Sequence, residues 1–291
     1  MPDATSRSLK TLRTLDGRTA IVTGASGAFG GATVQVLRHL GARVVGIDRK
    51  TDTVGDTVLA CDITDDDQVR AVIPEAIERL GGRLDRLIHY AGVGPAVDIG
   101  AAPDSHVHEA LEVNLLGAWR VTAAAMPALL RQRGRVILTA SLLAGLPLPF
   151  AGAYTVSKRA LTAYADTLRA EYGTHVGVTT VYPGYVDTPI HDSSRAAGVC
   201  LDGLVPAERV RDTVMTAVRA AAVARPRRDL ASTDFGTAVL RFTRRWPGVT
   251  DRLAAAQIAD LAHSGHFGDA EIARGLHERH GATVAAAPAT T

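Results

Sequence analysis

Residues 18–31 read "RTAIVTGASGAFGG", and this stretch decides the fold. "RTAIVTG" is a short apolar run rich in β-branched residues, the pattern of a strand buried on both faces. The glycines after it permit a sharp turn and let backbone N–H groups approach a phosphate at the start of the next helix. "GGATVQVLRHLG" (30–41) then has helical spacing and stops at glycine. A glycine-rich turn alone is a weak signal; a strand before it and a helix after it supply the context that phosphate binding requires.

The alternation continues outward from that stretch. "ARVVGID" (42–48), "DTVLACDI" (56–63), "LDRLIHYAG" (84–92), "GRVILTAS" (134–141) and "HVGVTTVYPG" (175–184) read as further strands. Between them "DDDQVRAVIPEAIERLG" (65–81), residues 105–133 and residues 152–172 read as helices, the first opening on acids and closing on Arg and Gly. Apolar strands alternating with helices predict an α/β fold, a doubly wound parallel sheet covered on both faces. Ligands of such a sheet bind beyond the carboxyl ends of its strands, so the informative residues should follow strands.

Bulk properties narrow the class. The chain has 291 residues, 46% hydrophobic and 21% charged, with a formal net charge of +2. That balance gives no global field for nucleic acid or an anionic membrane. Two cysteines, Cys61 and Cys200, make no disulfide framework and suit a reducing compartment. The first fifteen residues do not read as a signal peptide, and no apolar run approaches the roughly 20 residues of a membrane helix. The expectation is a soluble cytoplasmic protein with a small-molecule substrate, no nucleic-acid partner and no membrane partner.

Two further positions invite a chemical reading, although on spacing alone the first reads equally as a solvated loop acid and the second as a solvated helix face. Asp48 ends the second strand about 20 residues beyond the glycine turn, where an acid can bind the adenosine ribose hydroxyls and repel a 2′-phosphate. Arg49 and Lys50 follow it, and a basic side chain there could pair with that phosphate instead. In "AGAYTVSKRAL" (151–161), Tyr154 precedes Lys158 by four positions, which places both on one helix face. A free phenol with a pKa of about 10 is a poor base at neutral pH, and a neighbouring cation lowers that value. A shift of about 3 units takes roughly 4 kcal/mol, within reach of an ammonium and an oxidised nicotinamide ring in a cleft of low dielectric.

The chain resembles the short-chain dehydrogenase/reductase family over about residues 18–190. The motifs are "TGASGAFG", the acid at 48, "CDI" (61–63), "AG" (91–92), "VNLLG" (113–117), "TAS" (139–141), "YTVSK" (154–158) and "PGYVDT" (183–188), in matching order and spacing. The resemblance implies a Rossmann fold and an NAD(P)-dependent oxidoreductase with a catalytic tetrad of Asn114, Ser141, Tyr154 and Lys158. Tyr154 would exchange the proton with the substrate oxygen, which Ser141 would orient. Lys158 would bind the nicotinamide ribose and depress the tyrosine pKa, and Asn114 would hold a relay water. Cofactor contacts implied by the resemblance are Thr23, Gly24, Ser26, Phe29 and Gly30 at the glycine turn and Asp48 at the ribose. Asp62 and Ile63 would meet adenine. Ala91 and Gly92 would lie beside the ribose, with Pro183, Gly184, Val186 and Thr188 near the nicotinamide. The absence of Lys or Arg from the glycine turn, together with Asp48, favours NAD over NADP.

The departures are specific. Ala28 stands where the family has a glycine, and its methyl would push the pyrophosphate outward. His89 and Tyr90 replace two asparagines; His89 reads as a satisfied histidine at a strand end. The substrate pocket is expected from Val93, Leu142, Leu143, Phe150 and Tyr185, which suit a lipophilic ketone or secondary alcohol. Residues 189–204 read as a polar, flexible substrate lid. The predicted organisation is an arm at 1–15, one Rossmann domain at 16–233, a helical extension at 234–280 and a disordered tail at 281–291. A helix at 206–224 and a short strand within 227–232 close the domain. "HSGH" (263–266) and "HERH" (277–280) invite zinc, but no acid or cysteine cluster completes a site, so no metal is expected. Small residues at 160, 163 and 165 would let helices 112–133 and 152–172 approach a second copy, so a homo-oligomer, dimer or tetramer, is expected. The alternative function is a non-catalytic nucleotide-binding sensor or assembly protein on the same fold, for which an intact tetrad would have no use.

Overall fold

A computed structural model describes residues 12–51, 57–200, 203–225 and 227–281. Seven parallel strands form one sheet in the order β3-β2-β1-β4-β5-β6-β7. They are β1 (Thr19–Thr23), β2 (Arg43–Asp48), β3 (Val58–Ala60), β4 (Arg86–His89), β5 (Arg135–Thr139), β6 (Gly177–Tyr182) and β7 (Asp229–Ala231). Chain order reverses between β1 and β4, which run side by side with Thr23 opposite His89. That switch point opens the crevice in which ligands of such sheets bind.

Alternation along the strands sends side chains to two cores. On one face, Ala20, Val22, Ile88 and Ile137 pack under α1 (Ala28–His39) and α7 (Val210–Ala222). On the other, Ile21, Leu87, Val136 and Leu138 pack under α2 (Asp66–Arg79), α4 (Ala118–Arg131) and α5 (Gly152–Tyr172). Leu12 and Leu15 are buried in the first core, and Thr14 donates to Ala222 O at 2.7 Å, so the expected arm is docked from residue 12 onward. The remainder of that arm and the expected tail from residue 282 lie outside the described residues.

Helix 105–133 is not one regular helix. α3 (Ser105–Leu111) and α4 are joined by a π-type turn over Glu112–Gly117, a form that concentrates at functional sites. Contrary to expectation, the run Ser105–Arg131 is 27 residues long and contains an 18-residue stretch of mean hydropathy 1.3, long and apolar enough to cross a bilayer. Here it lies along the sheet with Val121, Ala125 and Leu129 buried in the core.

Two arginines fasten α7 to the sheet. Arg135 of β5 donates to Ala220 O at 2.5 Å and Val223 O at 2.6 Å, and Arg86 of β4 donates to Ala221 O at 2.6 Å. They satisfy carbonyls that a helix C-terminus leaves without partners. Burial, and the nearby Arg135, push the Arg86 pKa down to about 10. α7 itself starts at Val210, later than expected, because Ala207 forms a β-bridge with Tyr185.

Beyond β7 come α8 (Asp234–Arg245), α9 (Pro247–His263) and α10 (Arg274–Arg279). Leu261, Phe267 and Leu276 bury a further cluster with Leu148, Phe150 and Val199 of the main domain. The expected flexible lid is folded against it. Pro189–His191 is a 3-10 turn and Asp192–Ala196 is α6. Ser194 donates to Gly94 O at 2.9 Å, and Val199 is buried. Residues 201–202 of that segment lie outside the described residues.

Candidate active site

The glycine turn carries the backbone into positions that side chains would block. Gly24 has φ +68°, and a Cβ on it would meet Ala91 N at 2.7 Å. A Cβ on Gly30 would stand 2.0 Å from Gly24 O, and one on Gly92 would meet Asn114 Oδ1 at 3.0 Å and Lys158 Nζ at 3.3 Å. Gly27 caps α1 without a side-chain hydrogen bond, so the first amides of that helix remain available to a ligand.

A groove runs from this turn along the carboxyl ends of β2, β1 and β4. Gly24, Ser26, Ala28, Phe29 and Gly30 line one part, and Asp48, Asp62, Ile63, Ala91, Gly92 and Val93 another. Asp48 accepts from Ser26 N at 2.9 Å and Lys50 N at 3.0 Å, so the carboxylate is fixed at the edge of the turn. Arg49 and Lys50 also line the groove. Thr23 does not: it is buried, and its hydroxyl faces His89 Nδ1 at 2.7 Å. The glycine cradle, open amides and fixed acid fit a dinucleotide.

His89 is only half satisfied, a correction to the sequence reading. Its Nδ1 partners Thr23, which ties β4 to β1, but its buried Nε2 has no partner among the described residues. Burial, reinforced by the charge of Lys158, pushes its pKa down to about 3. Tyr90 points to the other face, where Thr33 Oγ1 donates to its hydroxyl at 3.0 Å and its ring lies 5.8 Å from that of Phe29.

The four residues of the implied tetrad meet beyond β4 and β5. Asn114 sits in the π-type turn with both amide hydrogens committed, to Val93 O at 2.9 Å and Ser157 Oγ at 2.8 Å. Its Oδ1 accepts from Val93 N at 2.8 Å. The side chain therefore pins the chain after β4 to α5. Lys158 is buried and donates to Thr139 O at 3.0 Å. Its ammonium lies 5.6 Å from the centre of the Tyr154 ring. Ser141 lines the same cleft beside the Tyr154 phenol and accepts from Leu143 N at 3.1 Å.

The electrostatics of the pair differ from expectation. Burial pushes the Tyr154 pKa up to about 12 against the opposing pull of the nearby Ser141 hydroxyl. Burial also pushes Lys158 down to about 8, so near neutrality part of its stabilising charge is lost. The pull of Ser141 does not offset burial, so the protein's own groups leave the phenol above its ordinary value.

Tyr154 and Lys158 stand on the floor of an apolar cleft of about 1020 Å³, counting its open mouth. Leu142, Leu143 and Tyr185 line it, and Pro183, Gly184, Val186 and Thr188 border it on the side of β6. Two expected pocket residues lie elsewhere. Val93 faces the dinucleotide groove. Phe150 lines a small side pocket and packs edge-on against Phe267 at 5.0 Å, because its φ of +62° turns it away from the main cleft. Sequence reasoning missed Phe235 and Val239 of α8 in the cleft wall, and Glu208 beside them. Glu208 accepts from Gly184 N at 2.9 Å and from Thr233 Oγ1 at 2.6 Å. Nothing in the sequence around 234–245 marks a cleft lining, since its amphipathic pattern reads equally as a surface helix. His263 and His280 approach to 6.2 Å between ring centres, and no group of three or more metal-ligating residues occurs among the described residues.

A dinucleotide cradle that opens onto a buried serine, tyrosine and lysine beneath an apolar cleft defines a nicotinamide-dependent oxidoreductase. Residues 18–198 match the family model described as short chain dehydrogenase, and the chain belongs to that family. L-fucose dehydrogenase of Bos taurus is 32% identical over 193 residues, 62% of this chain and 70% of the relative. 11-beta-hydroxysteroid dehydrogenase A of Sesamum indicum is 27% identical over 60% of this chain and 54% of its own length. A short chain dehydrogenase from Burkholderia cenocepacia solved in complex with NADP superposes with a TM-score of 0.68 at 26% identity. It covers 82% of this chain and 98% of that one. The chain is thus an NAD(P)-dependent oxidoreductase of the CH–OH group.

Proposed function

We propose that the protein interconverts a lipophilic secondary alcohol and its ketone, with Tyr154 as acid/base and NAD preferred to NADP. The observation that carries this reading is the convergence of Ser141, Tyr154 and Lys158 at the floor of a leucine-rich cleft. Gly24, Gly30 and Gly92 would hold the dinucleotide, with Asp48 at its adenosine ribose. When bound, the cofactor supplies the hydride acceptor and, oxidised, a positive charge. Ser141 orients the substrate oxygen and Tyr154 gives or takes its proton; Lys158 and the cofactor charge together oppose the burial that holds the phenol protonated. The cleft walls are mainly apolar, with Leu142, Leu143, Leu146, Leu148, Phe235 and Val239 outweighing the polar His191 and Glu208, which favours a lipophilic substrate over a sugar. Asp48 supports NAD, since a carboxylate repels a 2′-phosphate.

A homo-oligomer fits exposed apolar residues on the helices expected to meet a second copy: Trp119, stacked on Tyr164 at 4.6 Å, and Val156. A cytoplasmic location fits the buried, free Cys61.

The test is turnover of NADH and of NADPH against a panel of lipophilic ketones. Tyr154→Phe is expected to lower kcat at least 100-fold while NADH still quenches protein fluorescence. Turnover that survives in the variant would overturn the role of Tyr154. Faster turnover of sugars than of apolar ketones would overturn the substrate class.

A further inference from the structure

Five of the nine large hydrophobic residues exposed among the described residues fall between 235 and 253: Phe235, Phe242, Trp246, Val249 and Leu253. Such clustering is not the scatter of a normal surface. Phe235, Phe242 and Trp246, with Val239 between them, share one face at spacings of three and four. Val249 and Leu253 share a face of α9 one turn apart. The corner between the helices, Arg245 to Val249, is exposed throughout, and the Arg245 guanidinium lies 4.7 Å over the Trp246 ring.

The charge beside this patch is mainly positive. Arg241, Arg245 and Arg252 are exposed and have no acid within ion-pair distance among the described residues; Arg244 is tied to Asp229 at 2.8 Å. The acids on the same stretch are Asp234 and Asp251. Aromatic and leucine side chains flanked by arginine form the pattern of a helix that lies in a lipid interface. A second copy docking through the same patch about a two-fold axis would set arginine against arginine. The patch is also continuous with the active-site cleft, because Phe235 and Val239 line that cleft.

We propose that the α8–α9 corner docks on the surface of an anionic lipid bilayer, with Trp246 and Leu253 as anchors and the cleft mouth beside the lipid. The chain would lie on the membrane without spanning it, in contrast to the sequence expectation of no membrane partner. Docking does not depend on the proposed reaction; the link between them is that a lipophilic substrate would enter from the bilayer.

The full chain is floated with phosphatidylcholine vesicles and with vesicles containing one third phosphatidylglycerol, without cofactor or substrate. Binding is expected only to the anionic vesicles. It should fall about five-fold for each arginine lost in Arg241→Gln, Arg245→Gln and Arg252→Gln, and weaken with salt. Trp246→Ser with Leu253→Ser should lower binding at least ten-fold and leave turnover of a water-soluble ketone unchanged. Three results overturn the proposal: no vesicle binding, binding that survives Trp246→Ser with Leu253→Ser, or an oligomer in sedimentation that this double variant dissociates. Because flotation needs no turnover, an error in the proposed reaction would leave the vesicle result intact.

Discussion

At the scale of single residues, His89 sets an acid sensitivity whose sign can be worked out. Its folded pKa of about 3 lies below the ordinary value of 6.5, so the folded protein refuses a proton that the unfolded chain takes up. Between those two values the unfolded state binds more protons, and stability falls as the pH falls. We expect the thermal midpoint to drop from pH 7.5 to pH 5, and to drop less in His89→Asn, where the amide cannot titrate. An identical drop in both proteins would remove His89 as the cause. Asp48 makes a separate prediction: Asp48→Ser should raise the NADPH to NADH ratio of kcat/KM by about ten-fold or more, read by steady-state kinetics. The sequence showed both positions but only one environment. An acid after the second strand has a readable role, whereas the orphaned nitrogen of His89 follows from neighbours 66 residues away and from α5.

At the scale of elements, α5 was legible to the residue, because Tyr154, Lys158 and the small residues between them keep helical spacing from Gly152 to Tyr172. The strands were legible as apolar runs, and each proved shorter than its run because the apolar flanks continue into site loops. The π-type turn at Glu112–Gly117 was not legible. It inserts no unusual residue; its extra backbone width is stabilised by Asn114 bonding Val93 and Ser157, contacts made only after folding. The cap on α7 was equally hidden, since an arginine in a buried strand gives no local reason for its presence. Arg135→Met would leave the buried carbonyl of Ala220 and the half-buried carbonyl of Val223 without a donor. A loss of about 3 kcal/mol is expected, at about 1–3 kcal/mol per unsatisfied group, measured by urea unfolding with an unchanged m value.

At the scale of the whole molecule, the α/β order could be read from the sequence, while the meaning of residues 234–281 could not. The family model ends at residue 198, yet α8 supplies part of the cleft wall. Phe235→Ala should therefore raise KM for bulky lipophilic ketones several-fold and leave small ketones unaffected. Equal effects on both would show that Phe235 only supports the fold. The carboxylate of Glu208 joins Gly184, in the loop after β6, to Thr233, the residue that caps α8. In evolutionary terms that bond closes a seam. A premature stop codon near residue 233 would strip a wall from the cleft and free a carboxylate beside the loop after β6. The tail has ceased to be a removable appendage, and natural selection must now act on the two parts as one heritable unit.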